Sequence, residues 1–193
     1  MARPASDKRG KIISAATKCF STQSFQDVKL DKVAEEAGVA KGTIYLYFRN
    51  KEDLFCECLI HDNADNYQRA EDIISEKATA SVRLKKLVEL QDEIYQKKGP
   101  LVQQMIQMAP ALPISPDGMK ILHDHLRRII DQHSRLFQQG IDSGEFSSRF
   151  SADQMAVIFV QIFDLKLKFQ MFHIQPLTPE DIFDSLIKMF DQT

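Results

Sequence analysis

One stretch, Leu30 to Lys51, constrains this chain more than any other part of it. Leu30, Val33, Ala34 and Ala37 recur at helical spacing, so one face of a first helix is apolar. Ala34 and Ala37 are small, which lets a second helix cross closely. Gly38 ends the first helix, because glycine reaches positive φ without a steric penalty. Val39 closes the turn with an apolar contact. Ile44 and Phe48, four apart, point inward from a second helix. Lys41, Thr43, Tyr45 and Tyr47 then face outward, with Leu46 at the margin. Two short helices around a glycine turn, the second with a polar and aromatic outer face, are what sets a helix into the major groove of DNA.

The outward side chains suit that task. Hydroxyl and ammonium groups bind phosphate oxygens, while ring edges and methyl groups touch bases. Gly42 has no side chain, so the backbone is open to close approach there. Asn50 reads as the N-cap of the next helix, with Lys51, Glu52 and Asp53 in its first turn. A helix N-terminus carrying a lysine is a good place to hold a phosphate, which makes Lys51 a candidate contact. Any one of these residues alone reads as an ordinary solvated position. The ordered set behind a glycine turn carries the DNA reading.

At these residues the chain resembles the TetR family of one-component transcriptional regulators. The resemblance runs from Ile12 to Phe55. It includes the helix from Ile12 to Phe20, Phe25, Val33-Ala34, Ala37-Gly38-Val39, Gly42-Thr43-Ile44-Tyr45, Phe48 and Lys51-Glu52-Asp53-Leu54. It implies DNA contacts at Lys41, Gly42, Thr43, Tyr45, Tyr47 and Lys51. Three positions depart from the family pattern. Ser24 stands where glycine is usual, and Tyr47 where histidine is common. Val28-Lys29 replaces a threonine or serine that caps the next helix and meets phosphate. Lys29 replaces the phosphate contact but not the cap, and Asp31 is left as an alternative cap should the helix start slightly later.

A formal net charge of −2 looks wrong for a DNA binder until it is divided. Residues 1–51 hold ten Lys/Arg against five Asp/Glu, whereas residues 52–193 hold fifteen against twenty-two. Positive charge is therefore concentrated where the DNA contacts are expected. The N-terminal residues Met1 to Arg9 are basic without an apolar run behind them, so they read as no secretory signal. They read either as a short arm on the DNA backbone or as a solvated tail. No apolar run approaches the roughly 20 residues of a membrane span. Three cysteines, Cys19, Cys56 and Cys58, fit a reducing cytoplasm.

Beyond this region the pattern is all helix, about nine helices in total, and strand-like alternation is absent. The expected division is an N-terminal three-helix DNA-binding domain over 1–51 and a helical ligand-binding and dimerisation domain over 52–193. The first helix is expected over about 6–22 and a long one over 51–76. Gly99-Pro100 is expected to separate a helix over 81–97 from a short one over 101–108. The proline-rich stretch 109–118 reads as a loop before a helix over 119–143. Ser151 with Gln154 makes a capping box for a helix reaching about 172. Thr178-Pro179-Glu180-Asp181 starts the last.

The helix over 155–172 is apolar on more than one face, so it is expected to be buried on two sides. One side would pack within its own subunit and the other against a partner, with Phe159, Phe163 and Leu167 as candidate interface residues. The resemblance implies the same, since family members dimerise through a bundle of their last large helices. The alternatives here pair 155–172 with either 119–143 or 181–190. Asp164 and Lys168, four apart, read as a charged surface stripe.

No phosphate-binding glycine loop, nucleophile elbow or zinc-protease signature is present, and no cofactor, metal site or enzymatic activity is expected. The five histidines are isolated or diverge on their helices. Met105, Met108, Phe137 and Phe159 are candidates to line an apolar cavity, or else plain core. The resemblance completes the expectation of a cytoplasmic, homodimeric repressor on a palindromic double-stranded operator. A small hydrophobic effector would release it. The alternative is a helical dimerisation or protein-interaction module that does not read DNA.

Overall fold

The computed structural model describes residues 5–61, 63–108 and 114–191. The side chains of some helical positions, Met105, Met108 and Leu167 among them, lie outside the described residues. Nine helices occur among those described, and no strand. They are α1 (Ala5–Thr22), α2 (Leu30–Ala37), α3 (Lys41–Tyr45), α4 (Lys51–Ile60), α5 (Asn63–Ile74), α6 (Ala80–Met108), α7 (Pro116–Asp142), α8 (Ala152–Met171) and α9 (Pro179–Phe190). The chain divides into two compact units, one of residues 1–61 with 100–124 and one of 62–99 with 125–193.

The first unit is built on α1, which packs against α2 and α4, while α2 packs against α3. Ile12, Ile13, Ala16 and Phe20 of α1 are fully enclosed, as their spacing predicts. Phe20, Phe25 and Phe55 form an aromatic trio, with Phe20 and Phe55 edge-to-face at 4.9 Å and Phe25 and Phe55 at 5.3 Å. Burying each such ring contributes roughly 1.5–3 kcal/mol. Leu101 of α6 completes this core.

The second unit is centred on α8. Met155, Ala156, Phe159 and Phe163 are buried among Leu84, Leu87 and Val88 of α6 and Leu136 and Phe137 of α7. Ile182, Leu186 and Phe190 of α9 join the same core. Both predicted caps form. Ser151 and Gln154 exchange side-chain-to-backbone bonds of 2.9 and 3.2 Å. Thr178 and Asp181 do the same at 2.9 and 3.1 Å.

Three element boundaries differ from the sequence expectation. The long helix over 51–76 is two helices, because His61 takes extended backbone (φ −67°, ψ 148°) after α4. Conversely, α6 runs unbroken through Gly99-Pro100. Pro100 costs one backbone hydrogen bond there, and packing on both sides outweighs that penalty, with Leu90 and Leu101 each buried in a core. Finally, α7 starts at Pro116, three residues early. Ser115 Oγ accepts from Gly118 N–H at 3.0 Å, so Ser115 is an N-cap and Pro116 sits at N1.

Candidate nucleic-acid interface

The turn after α2 is fixed by backbone geometry. Gly38 is left-handed (φ 66°, ψ 36°), and Val39 N–H returns to Ala34 C=O at 2.9 Å while Gly38 N–H reaches Glu35 C=O at 3.0 Å. These are the two bonds of a Schellman motif, and only glycine holds that conformation cheaply. The chain then reverses into α3. Ile44 and Phe48 are buried, anchoring one side of the segment and presenting the other.

The presented side carries Lys41, Gly42, Tyr45 and Leu46, all exposed. Leu46 is 82% exposed, more than the 52% of Tyr45. Helix α3 ends at Tyr45, and the tighter turn that follows rotates Leu46 outward, with its N–H bonded to Thr43 C=O at 3.2 Å. Thr43 and Tyr47 are half-buried, and Tyr47 packs against the unit's core.

The cations around this face are mostly engaged. Lys41 Nζ donates to Asp31 Oδ2 at 2.8 Å, and that hydrogen bond together with the carboxylate charge raises its pKa. Asp31 therefore does not cap α2, and Lys29 occupies the N-cap position with no side-chain cap bond. Lys29 is exposed and makes no ion pair among the described residues. Lys51 is half-buried, and its ammonium donates to three carbonyls of the α1–α2 turn, those of Phe25 at 2.7 Å, Val28 at 3.0 Å and Gln26 at 3.3 Å. It also lies 4.5 Å from the Phe25 ring centre. Asn50 caps α4 as expected, accepting from Asp53 N–H at 2.7 Å. One cation was not singled out from sequence. Arg49, in the turn between α3 and α4, pairs with Asp117 of α7. Its position beside an N-cap is legible in sequence; a partner 68 residues further on is not.

The candidate effector and interface residues fall differently. Phe137 and Phe159 are fully buried in the second unit, with ring centres 6.1 Å apart and His133 packed 4.9 Å from Phe159. They are core. The side chains of Met105 and Met108 lie outside the described residues, so the four are not brought to one described site. Phe159 and Phe163 are also 0% exposed, which removes them as contacts for a partner. Leu167 falls outside the described side chains. The outer face of α8 instead presents Val157 and Leu165, followed beyond its end by Phe172, all exposed. The sequence makes α8 apolar on more than one face, but periodicity alone could not say which side its own subunit covers.

Of the expected charged stripe, Lys168 is exposed, whereas Asp164 is half-buried. Asp164 accepts from Tyr95 Oη at 2.6 Å, and burial raises its pKa despite that bond. Lys166 pairs with Asp92, a nearly buried carboxylate that also accepts from Gln96 at 2.7 Å. Burial lowers the pKa of His133 and of His125, the latter to about 4 with Lys98 and Arg128 adding to the effect. The three cysteines are buried and free, and burial beside Asp53 pushes the Cys56 thiol up to about 11. Among the described residues, no three or more of His, Cys, Asp and Glu are grouped to hold a metal ion, and no helix is long and apolar enough to cross a membrane.

The Schellman-capped α2, the short exposed α3 and the α1 scaffold behind them define a helix-turn-helix protein. Residues 12–58 match the family model described as bacterial regulatory proteins, tetR family. The fatty acid metabolism regulator protein of Bacillus subtilis (strain 168) is 40% identical over 74 residues, a match spanning 38% of each chain and so well under half the length of that curated relative. The HTH-type transcriptional regulator YfiR of the same organism is 28% identical over 163 residues, covering 82% of this chain and 78% of that one. The crystal structure of the Bacillus subtilis transcriptional regulator FadR in complex with stearoyl-CoA superimposes with a TM-score of 0.73 at 22% identity, covering 94% of this chain and 97% of that chain. Over residues 12–58 the chain carries the helix-turn-helix region of the tetR family of bacterial regulatory proteins.

Proposed function

We propose that this protein is an effector-responsive transcriptional repressor that binds a palindromic operator as a homodimer. The observation that carries the reading is the outer face of α3, with Tyr45 and Leu46 exposed beside Lys29 and Lys41 on a helix-turn-helix scaffold. In this reading Lys29, Lys41, Gly42 and Thr43 meet the backbone, and Tyr45 and Tyr47 reach base edges. Lys51 contributes by holding the turn that carries Lys29. Residues 1–51 read DNA, and residues 52–193 bind the effector and the second subunit through Val157, Leu165 and Phe172.

The effector we propose is a long-chain fatty acyl thioester. Its support is the Bacillus subtilis relative named as a fatty acid metabolism regulator and the stearoyl-CoA held by a regulator of the same fold. Effector and operator must then weaken one another by the same factor.

Fluorescence anisotropy on DNA fragments flanking the protein's own gene, against random duplex across a salt series, tests the DNA reading. Saturation of one fragment at two chains per site is the expected result. Binding no tighter than to random duplex would remove it and favour a helical interaction module. Adding stearoyl-CoA, with free CoA and stearate as separate controls, tests the effector. Release by the thioester alone is expected, and no release rejects that class.

A further inference from the structure

Asp117 does not meet Arg49 by accident of surface crowding. The first turn of α7 is clamped to the first turn of α4. Ser115 Oγ donates to Asp53 Oδ1 at 2.7 Å while accepting from Gly118 N–H at 3.0 Å. Gly118 approaches so closely that an added Cβ would stand 2.7 Å from Asp53 Oδ1. This fixes Asp117 opposite the turn that directly follows the exposed Tyr45-Leu46 segment. Arg49 projects from that turn, and both partners are open to solvent, at 67% and 63% side-chain exposure. The same pattern recurs at the other end of α3, where Asp31 holds Lys41.

We propose that Arg49 is a further phosphate ligand of this protein and that Asp117 is its internal competitor. The inference rests on the DNA-binding reading above. An exposed ion pair is worth about 0–1 kcal/mol, so a duplex phosphate with its field of neighbouring charges displaces the carboxylate readily. A guanidinium on a short turn reaches a phosphate with two parallel donors, as it would reach a carboxylate. The competition weakens random and operator DNA alike. An operator that also engages the bases stays occupied at concentrations where random duplex is no longer bound, so the pair suppresses non-specific occupancy.

The test is a double-mutant cycle of Arg49→Gln and Asp117→Asn in the full-length protein, with affinity for random duplex and for the operator fragment measured across salt. Arg49→Gln is expected to weaken both and to lower the log–log salt slope by about one. Asp117→Asn is expected to tighten random-duplex binding by about two- to fivefold. In the Arg49→Gln background that gain should vanish. An equal gain in both backgrounds would overturn the proposal, because Asp117 would then act only through overall charge. So would an unchanged slope in Arg49→Gln. Thermal melting of each variant separates loss of folding from loss of contact. If the wild-type protein binds no DNA, the regulator reading itself falls and takes this inference with it. If it binds and the cycle shows no coupling, only the Arg49–Asp117 assignment falls.

Discussion

Lys51 shows how far a single residue's role depends on its neighbours. Its place at a helix N-terminus beside an N-cap made it a phosphate candidate, yet its three donors all end on the carbonyls of Phe25, Gln26 and Val28. The bonds to Phe25 and Val28 are part-buried, where a carbonyl left without a partner costs about 1–3 kcal/mol. Lys51→Met is therefore expected to lower stability by about 1–3 kcal/mol in urea unfolding. An unchanged midpoint would return the ammonium to the DNA contacts. Tyr45 is the cleaner probe of base reading, because its exposure makes truncation nearly neutral for folding. Tyr45→Ala should weaken operator binding by about tenfold at unchanged melting temperature and leave random-duplex affinity less affected. Equal losses on both would assign Tyr45 to the DNA backbone. Periodicity leaves Leu46 at the margin of the outward face, whereas it is 82% exposed. The early end of α3 turned it out.

At the scale of elements, helix identity was legible and helix continuity was not. Caps are local, so Asn50, Ser151 and Thr178 were readable from neighbouring residues and all form. Continuity is a contest between local penalties and distant packing. Pro100 lost that contest in α6, and Ser115 was hidden within a proline-rich run that looked like loop throughout. A glycine inside α7 records a similar constraint. Gly140 faces the buried ring of Phe146, where an added Cβ would lie 2.2 Å from Cδ2 and 2.5 Å from Cε2. Alanine would gain about 1 kcal/mol of helix propensity, whereas forcing a buried ring aside costs about 1–3 kcal/mol or more. Gly140→Ala should therefore destabilise the protein on balance, measured as a lower urea midpoint. A raised midpoint would mean that Phe146 relocates without loss.

At the scale of the whole molecule, α6 and α7 each contribute to both compact units, so the chain's division does not follow its linear order. The proposed dimer face belongs to this scale too. Val157 and Leu165 lie on the side of α8 that its own core leaves uncovered, and the exposed Phe172 follows just beyond its end. Leu165→Lys should shift the protein from dimer to monomer in light scattering with little change in the secondary-structure signal. Retention of the dimer would move the interface elsewhere. The sequence by itself determined the helical class, the Gly38 turn, the caps and the buried stripes of α1 and α8, because these follow from periodicity and from bonds between near neighbours. Only the tertiary structure decided that Phe159 and Phe163 face inward, that Lys51 holds a turn, and that Asp117 meets Arg49. Each of those joins residues distant in the chain, and burial and pairing at such distances are set by packing, which no local pattern encodes.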